Sequence, residues 1–230
     1  MSSQFHPDVA ATRAKIARLA GMLYERRLLD AAGGNLSARV GDVICMTSRY
    51  SGSKFQWNIR PDQVLVVDNT GNILEGEGSI SREAKVHLKL LNEFPEGGSV
   101  IHAHSPNALV FAALNQPIPA VLEQTQKFGP IQCVPFAPAH SQDLAENVAA
   151  AIRGQEERIK KQAAAVIMPW HGLFLIAKDL DAAYDAVERI DGQARIVIMA
   201  NLMKLAGMNT LSEEQAVYQA AVDAYEAVKH

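Results

Sequence analysis

The chain has 230 residues, 48% of them hydrophobic, enough for one sizeable core in a single domain spanning residues 1–230. Its formal charge of -3 comes from well-mixed acids and bases with no basic run of the kind that tracks a phosphate backbone, so nucleic acid is not an expected partner. Cys45 and Cys133 form no CxxC pair, no apolar run reaches the roughly 18 residues of a membrane span, and the amino terminus lacks a basic stretch followed by an apolar core, which together predict a cytoplasmic protein with no disulfide framework, thiolate metal site or membrane contact.

From residue 8 to about 30, Ile16, Leu19, Ala20, Leu23 and Leu28 recur at helical spacing among charged residues, which predicts an amphipathic helix ended by Gly33-Gly34-Asn35. Residues 36–40 and 43–47 predict a hairpin across Gly41-Asp42, and residues 64–67 and 73–74 a second one. Between them, 48–61 reads as a polar loop, within which Ser51-Gly52-Ser53-Lys54 is a small-residue cluster able to wrap an anion. A helix follows over about 82–94 with Glu83 in its first turn, then a strand over 99–104, and a helix that Pro106 opens and that runs to about residue 114. A strand over 131–136 precedes a helix from Ser141, its N-cap, to about 153; strands over 163–168 and 171–177 are joined through Pro169-Trp170. A long helix covers about 180–206, and a last amphipathic one begins near Ser212-Glu213-Glu214. Helices and strands alternate loosely with hairpins among them, which favours an α/β sheet with antiparallel pairs over a purely parallel one.

The stretch most suggestive of chemistry is Val100-Ile101-His102-Ala103-His104. On a strand, side chains repeat with period two, so His102 and His104 leave from one face and can share a divalent metal. His171, at the start of an apolar strand with Gly172 after it, is the candidate third ligand, although a histidine in an apolar setting is more often a hydrogen-bonded core residue. His6, His140 and His230 are weaker candidates, and His87 lies one helical turn after Glu83 on the same face. Glu83 suits a base beside a metal, or simply an acid at a helix amino terminus. Gly33-Gly34-Asn35-Leu36-Ser37 suits a helix stop or a phosphate cradle, to which Ser81 and Arg82 add donors and a positive charge.

Gly34-Asn35-Leu36-Ser37, Glu83 opening a helix, His102-Ala103-His104 on a strand and His171-Gly172 further on occur in the order and approximate spacing of the class II aldolase/adducin family. The chain resembles its fuculose-1-phosphate aldolase branch over nearly its whole length. The resemblance implies a single-domain three-layer α/β/α fold with a mainly antiparallel central sheet, in a cyclic homotetramer with sites near subunit interfaces. It implies that His102, His104 and His171 bind one divalent metal per subunit, zinc first, with manganese, cobalt or iron(II) as alternatives, and that Glu83 is the acid/base residue. Gly34, Asn35, Ser51, Gly52 and Ser81 match or lie near its phosphate-binding positions.

The activity implied is cleavage of a ketose 1-phosphate to dihydroxyacetone phosphate and an aldehyde through a metal-stabilised enediolate. Three departures bear on the substrate. The family often has two serines before the acid, where this chain has Ser81-Arg82; Glu123 stands where a tyrosine is expected on the aldehyde side; and the loop over 47–53 is longer. Tyr225 aligns with a carboxy-terminal tyrosine that reaches a neighbouring site. The changes point to an apolar substrate tail, as in a 5-deoxypentulose or methylthio-pentulose 1-phosphate, with fuculose 1-phosphate as the other choice. Alternatives on the same scaffold are a pentulose-phosphate epimerase, a methylthioribulose-phosphate dehydratase or a sugar-acid phosphate decarboxylase, and outside enzymes a non-catalytic adducin-like interaction module.

Overall fold

The computed structural model describes residues 8–207, 218–220, 222 and 223. Helix α1 (Asp8–Glu25) buries Ile16, Leu19, Ala20 and Leu23 of the predicted stripe together with Val9, while Leu28, also buried, lies beyond its end. It ends before residue 30 because Arg27 turns to a φ of 60° and Leu28 N–H reaches back to Leu23 O. Strands β1 (Asn35–Val40) and β2 (Val43–Thr47) form the first expected hairpin, β3 (Val64–Val67) and β4 (Ile73–Glu75) the second. The segment between them, expected as loop, contains a short helix α2 (Ser51–Phe55) and a 3-10 turn at Pro61–Gln63. One turn and a half of helix is too short for hydrophobic periodicity to register.

There follow α3 (Ala84–Glu93), β5 (Ser99–Ala103), α4 (Pro106–Leu114), a 3-10 helix at Glu123–Phe128, β6 (Gln132–Cys133), α5 (Gln142–Ile152), α6 (Glu156–Lys161), β7 (Ala163–Met168), β8 (Gly172–Ala177) and α7 (Leu180–Leu205). The strand expected over 131–136 shrinks to two residues, since Pro135 has no N–H for a ladder. Helix α6 has no counterpart in the sequence pattern, because its charged residues bury only Ile159. The helix expected near Ser212 begins outside the described residues, as does Tyr225.

Among the described residues, the strands form one sheet in the order β4-β3-β2-β1-β5-β8-β7-β6, antiparallel throughout except between β6 and β7. Leu36, Ala38, Ile101, Ala103, Leu173 and Leu175 pack one face against residues of α1, α4 and α7. Val100, Val166, Phe174 and Ile176 pack the other against α3, α5 and α6. The result is the expected α/β/α sandwich. Covering both faces explains why the central strands read as continuous apolar runs rather than alternating ones. Each fully buried Leu, Ile or Phe among them contributes about 1.5–3 kcal/mol of transfer free energy.

Strand register, more than layering, brings the polar groups together. In β1, Asn35 lies opposite His102 of β5, and in β8 Phe174 lies opposite the same histidine. Asn35 and His102 are therefore brought together at one end of adjoining strands, the end at which β8 begins just after His171.

Candidate metal and acid-base site

His102 shares the face of Val100, stacks on Phe174 with ring centroids 4.1 Å apart, and is 1% exposed. Its Nδ1–H donates to Leu173 O at 2.9 Å, so its Nε2 carries the lone pair. His104, just past the end of β5, donates from Nδ1 to Asp30 Oδ2 at 3.1 Å, which likewise frees Nε2. The two Nε2 atoms face each other at 3.1 Å. Two lone pairs at that distance need a cation or a proton between them.

The third nitrogen arrives from the turn between β7 and β8. Trp170 adopts a φ of 56° and Gly172 a φ of 157° to make that turn. A Cβ on Gly172 would stand 2.7 Å from Ala103 O and 3.2 Å from both the His102 and His104 rings, so only glycine lets His171 close on the strand. One nitrogen from each of His102, His104 and His171 then lies within 4.8 Å of the others. Burial, with the neighbouring imidazoles, pushes the His102 pKa well down; burial also lowers that of His171, against the opposing pull of Glu83. Neutral imidazoles are the metal-binding form. Three converging imidazole nitrogens, two of them left unprotonated by oxygen acceptors behind their rings, fit a divalent ion of the zinc class with an open position left over.

Glu83 is the N-cap residue of α3, but its carboxylate makes no cap hydrogen bond. Oε2 instead accepts from Asn35 Nδ2–H at 2.9 Å and from Ser81 Oγ–H at 3.0 Å. Oε1 is left 3.9 Å from His171 Nε2. The acid thus faces the imidazole cluster with one oxygen held and one oxygen free.

These groups line a cleft of about 410 Å³. Of the residues singled out in the sequence, Gly34, Ser51, Gly52, Ser81, Arg82, Glu83, His102, His104 and His171 all line it. Asn35 does not. It is 3% exposed, and its amide N–H groups reach Ser81 Oγ at 2.7 Å and Glu83. Glu123 is exposed, in the 3-10 helix after α4, and does not line the cleft of its own chain. Tyr225 falls outside the described residues.

Sequence reasoning missed two contributors. Asp30, read only as a helix end, accepts from His104 with Oδ2 and from the backbone N–H groups of Ala32 and Gly33 with Oδ1, at 2.8 and 2.6 Å. Its position three residues before the glycine pair was the available signal. Arg49 lines the cleft with its Nε buried and without a hydrogen-bond partner, its guanidinium 4.8 Å from the Tyr50 ring. A lone arginine in a serine-rich loop was the signal there. The α2 segment is seated on the glycine loop through Gly52, where a Cβ would meet Asp30 O at 2.8 Å and Ala31 O at 2.9 Å, and through Trp57 Nε1–H, which donates to Asp30 O at 2.8 Å.

A family model described as class II aldolase and adducin N-terminal domain matches residues 14–198. A curated L-fuculose phosphate aldolase of Methanococcus maripaludis is 28% identical over 191 residues, covering 83% of this chain and 96% of that protein. A 5-methylthioribulose-1-phosphate/5-deoxyribulose-1-phosphate aldolase of Rhodospirillum rubrum is 30% identical over 152 residues, 65% of this chain and 63% of that one. A solved L-fuculose 1-phosphate aldolase superposes with a TM-score of 0.74 at 26% identity, covering 95% of this chain and 98% of its own.

Proposed function

The chain belongs to the family of class II aldolase and adducin N-terminal domains, and from that premise we propose that it is a metal-dependent lyase that cleaves a ketose 1-phosphate to dihydroxyacetone phosphate and an aldehyde. The observation that carries the reading is the convergence of three metal-ready imidazoles and the free oxygen of Glu83 in one cleft.

His102, His104 and His171 would hold the ion, which when bound supplies Lewis-acid stabilisation for the negative charge left as the C3–C4 bond breaks. Zinc is the first choice, with manganese, cobalt or iron(II) after it. The chain's own part is proton transfer and placement. In the synthetic direction Glu83 Oε1 takes the proton from C3 of dihydroxyacetone phosphate; in cleavage it returns that proton to C3. Gly34, Ser51, Gly52 and Ser81 would grip the phosphate, with Asn35 steadying Ser81 from behind. Arg82 and Arg49 add positive charge to the same wall, and Glu83 is the one carboxylate lining it among the described residues. This balance favours an anionic substrate.

For the aldehyde half, the reading is an apolar tail, as in a 5-deoxypentulose or methylthio-pentulose 1-phosphate. Trp170, next to His171 in the chain, is 64% exposed and meets Phe136 edge-to-face at 5.4 Å, which offers apolar surface. Residues 1–230 form one domain in this reading, and the protomers form a homotetramer with sites near subunit interfaces, in which Tyr225 reaches a neighbouring site. The free thiols of Cys45 and Cys133 suit a reducing cytoplasm. No helix among the described residues is long and apolar enough to cross a membrane.

The test is incubation of metal-replete protein with dihydroxyacetone phosphate and a panel of aldehydes, identifying the ketose phosphate formed. Products of epimerisation, dehydration or decarboxylation from the matching substrates would select one of the other enzymes. Protein that holds no divalent metal and turns over no ketose phosphate with added Zn²⁺, Mn²⁺ or Co²⁺ would return the adducin-like module.

A further inference from the structure

The placement of Glu83 hangs on the orientation of one side-chain amide, that of Asn35, and a buried group outside the proposed reaction decides it. His87 lies in the first turns of α3, one turn beyond Glu83, and is 1% exposed. Its Nδ1 stands 2.6 Å from Ser37 Oγ, and its Nε2 meets Asn35 Oδ1. Ser37 and Asn35 are two apart on β1 and so share the face toward α3. The imidazole spans both, while its own helix presents Glu83 to Asn35 Nδ2.

Asn35 can in principle be turned either way. With Oδ1 toward Glu83, two acceptors would meet at the 2.9 Å separation unless Oε2 itself carried a proton. With Nδ2 toward Glu83, Oδ1 faces His87, and the imidazole must supply N–H at Nε2 and accept the Ser37 hydroxyl proton at Nδ1. We propose that His87 is a positioning residue: as a neutral Nε2–H tautomer it sets the Asn35 amide so that both its N–H bonds point to Ser81 and Glu83, which fixes Oε2 as an acceptor and makes Oε1 the oxygen that exchanges protons with substrate.

This inference rests on the acid/base role proposed for Glu83. It is supported by the full burial of the ring, which drives the His87 pKa down to about 3 and keeps the ring neutral at working pH. The tautomer is opposite to that of His102 and His104, which are protonated on Nδ1. Nitrogen-15 NMR of the metal-loaded protein separates the two classes. The expected result is an Nε2–H His87 at neutral pH; an Nδ1–H or cationic His87 would overturn the proposal.

Substitution gives the second arm. His87→Gln keeps an N–H within reach of Asn35, His87→Asn serves only Ser37, and His87→Leu serves neither. Gln is expected to hold kcat within about 3-fold. Asn and Leu should lower kcat, and with it the rate of C3–H exchange of dihydroxyacetone phosphate in D₂O, on the order of 10- to 100-fold at near-parental KM and metal content. Parental kcat in His87→Leu, or a Gln variant no better than Leu, would sink the idea. If the variants do not fold, the NMR arm decides alone. Failure of the lyase reading is distinct, because the parent itself would then catalyse neither exchange nor cleavage while the tautomer could still be read.

Discussion

Asp30 and His104, 74 positions apart, are joined by a hydrogen bond of 3.1 Å in which the carboxylate takes the Nδ1 proton and turns Nε2 toward the other imidazoles. The same carboxylate holds Ala32 and Gly33 of the glycine loop. Asp30→Ala is therefore expected to weaken Zn²⁺ or Mn²⁺ binding on the order of 10- to 100-fold, and Asp30→Asn, which keeps an acceptor, by less. Chelator competition measures it. Parental affinity in Asp30→Ala would show that His104 needs no orienting partner.

Glu83→Gln should keep its place, because a carbonyl oxygen can still accept from Asn35 and Ser81, and should bind metal as the parent does. Turnover should fall by about 10²- to 10⁴-fold, the usual reach of a general acid/base. Metal content by elemental analysis and initial rates on the same preparation check both halves. A variant as active as the parent would remove Glu83 from the chemistry.

Much of the fold was legible because local pattern and tertiary role agree. The hairpins announced themselves by turn residues at Gly41-Asp42 and at 68–72, and the His102–His104 strand by its apolar run. The histidine triad and Glu83 were readable because a period-two pair and a helix-opening acid are compact signals. What was hidden lies across the sheet: the Asp30 contact with His104 and the Asn35 contact with Glu83 depend on register, which no local spacing encodes. Asn35 looked like a loop residue at the cleft surface. The pairing opposite His102 instead buries it behind Ser81 and Glu83. Helix α2 was hidden for the opposite reason, being held in place by Trp57 and Gly52 against the glycine loop rather than by its own propensity.

Two glycines predict opposite outcomes for one substitution. Gly172→Ala places a methyl group 2.7 Å from a backbone oxygen at a φ of 157°, so it should lower both thermal stability and metal affinity. Gly192, inside α7, has open space within 4 Å of where a methyl group would sit, and Gly192→Ala should raise stability by about 0.5–1 kcal/mol through lower unfolded-state entropy and better helix propensity. Thermal melts of apo protein, read alongside metal titrations, compare the two. A neutral Gly172→Ala would mean that the turn carrying His171 can move without loss.

Acid should destabilise the fold through His87. The unfolded chain takes up a proton on this residue near pH 6.5, whereas burial holds its native pKa down to about 3. Between those values the unfolded state binds more protons, so stability falls as pH falls, with a slope of up to about 1.4 kcal/mol per pH unit from this one group. Above pH 6.5 its contribution is flat. The apo protein is the cleaner subject, since metal release would add its own pH dependence. Denaturant midpoints from pH 7 to pH 4 should drop less steeply in His87→Gln, which cannot titrate, than in the parent. Parallel curves for the two proteins would place the proton uptake elsewhere.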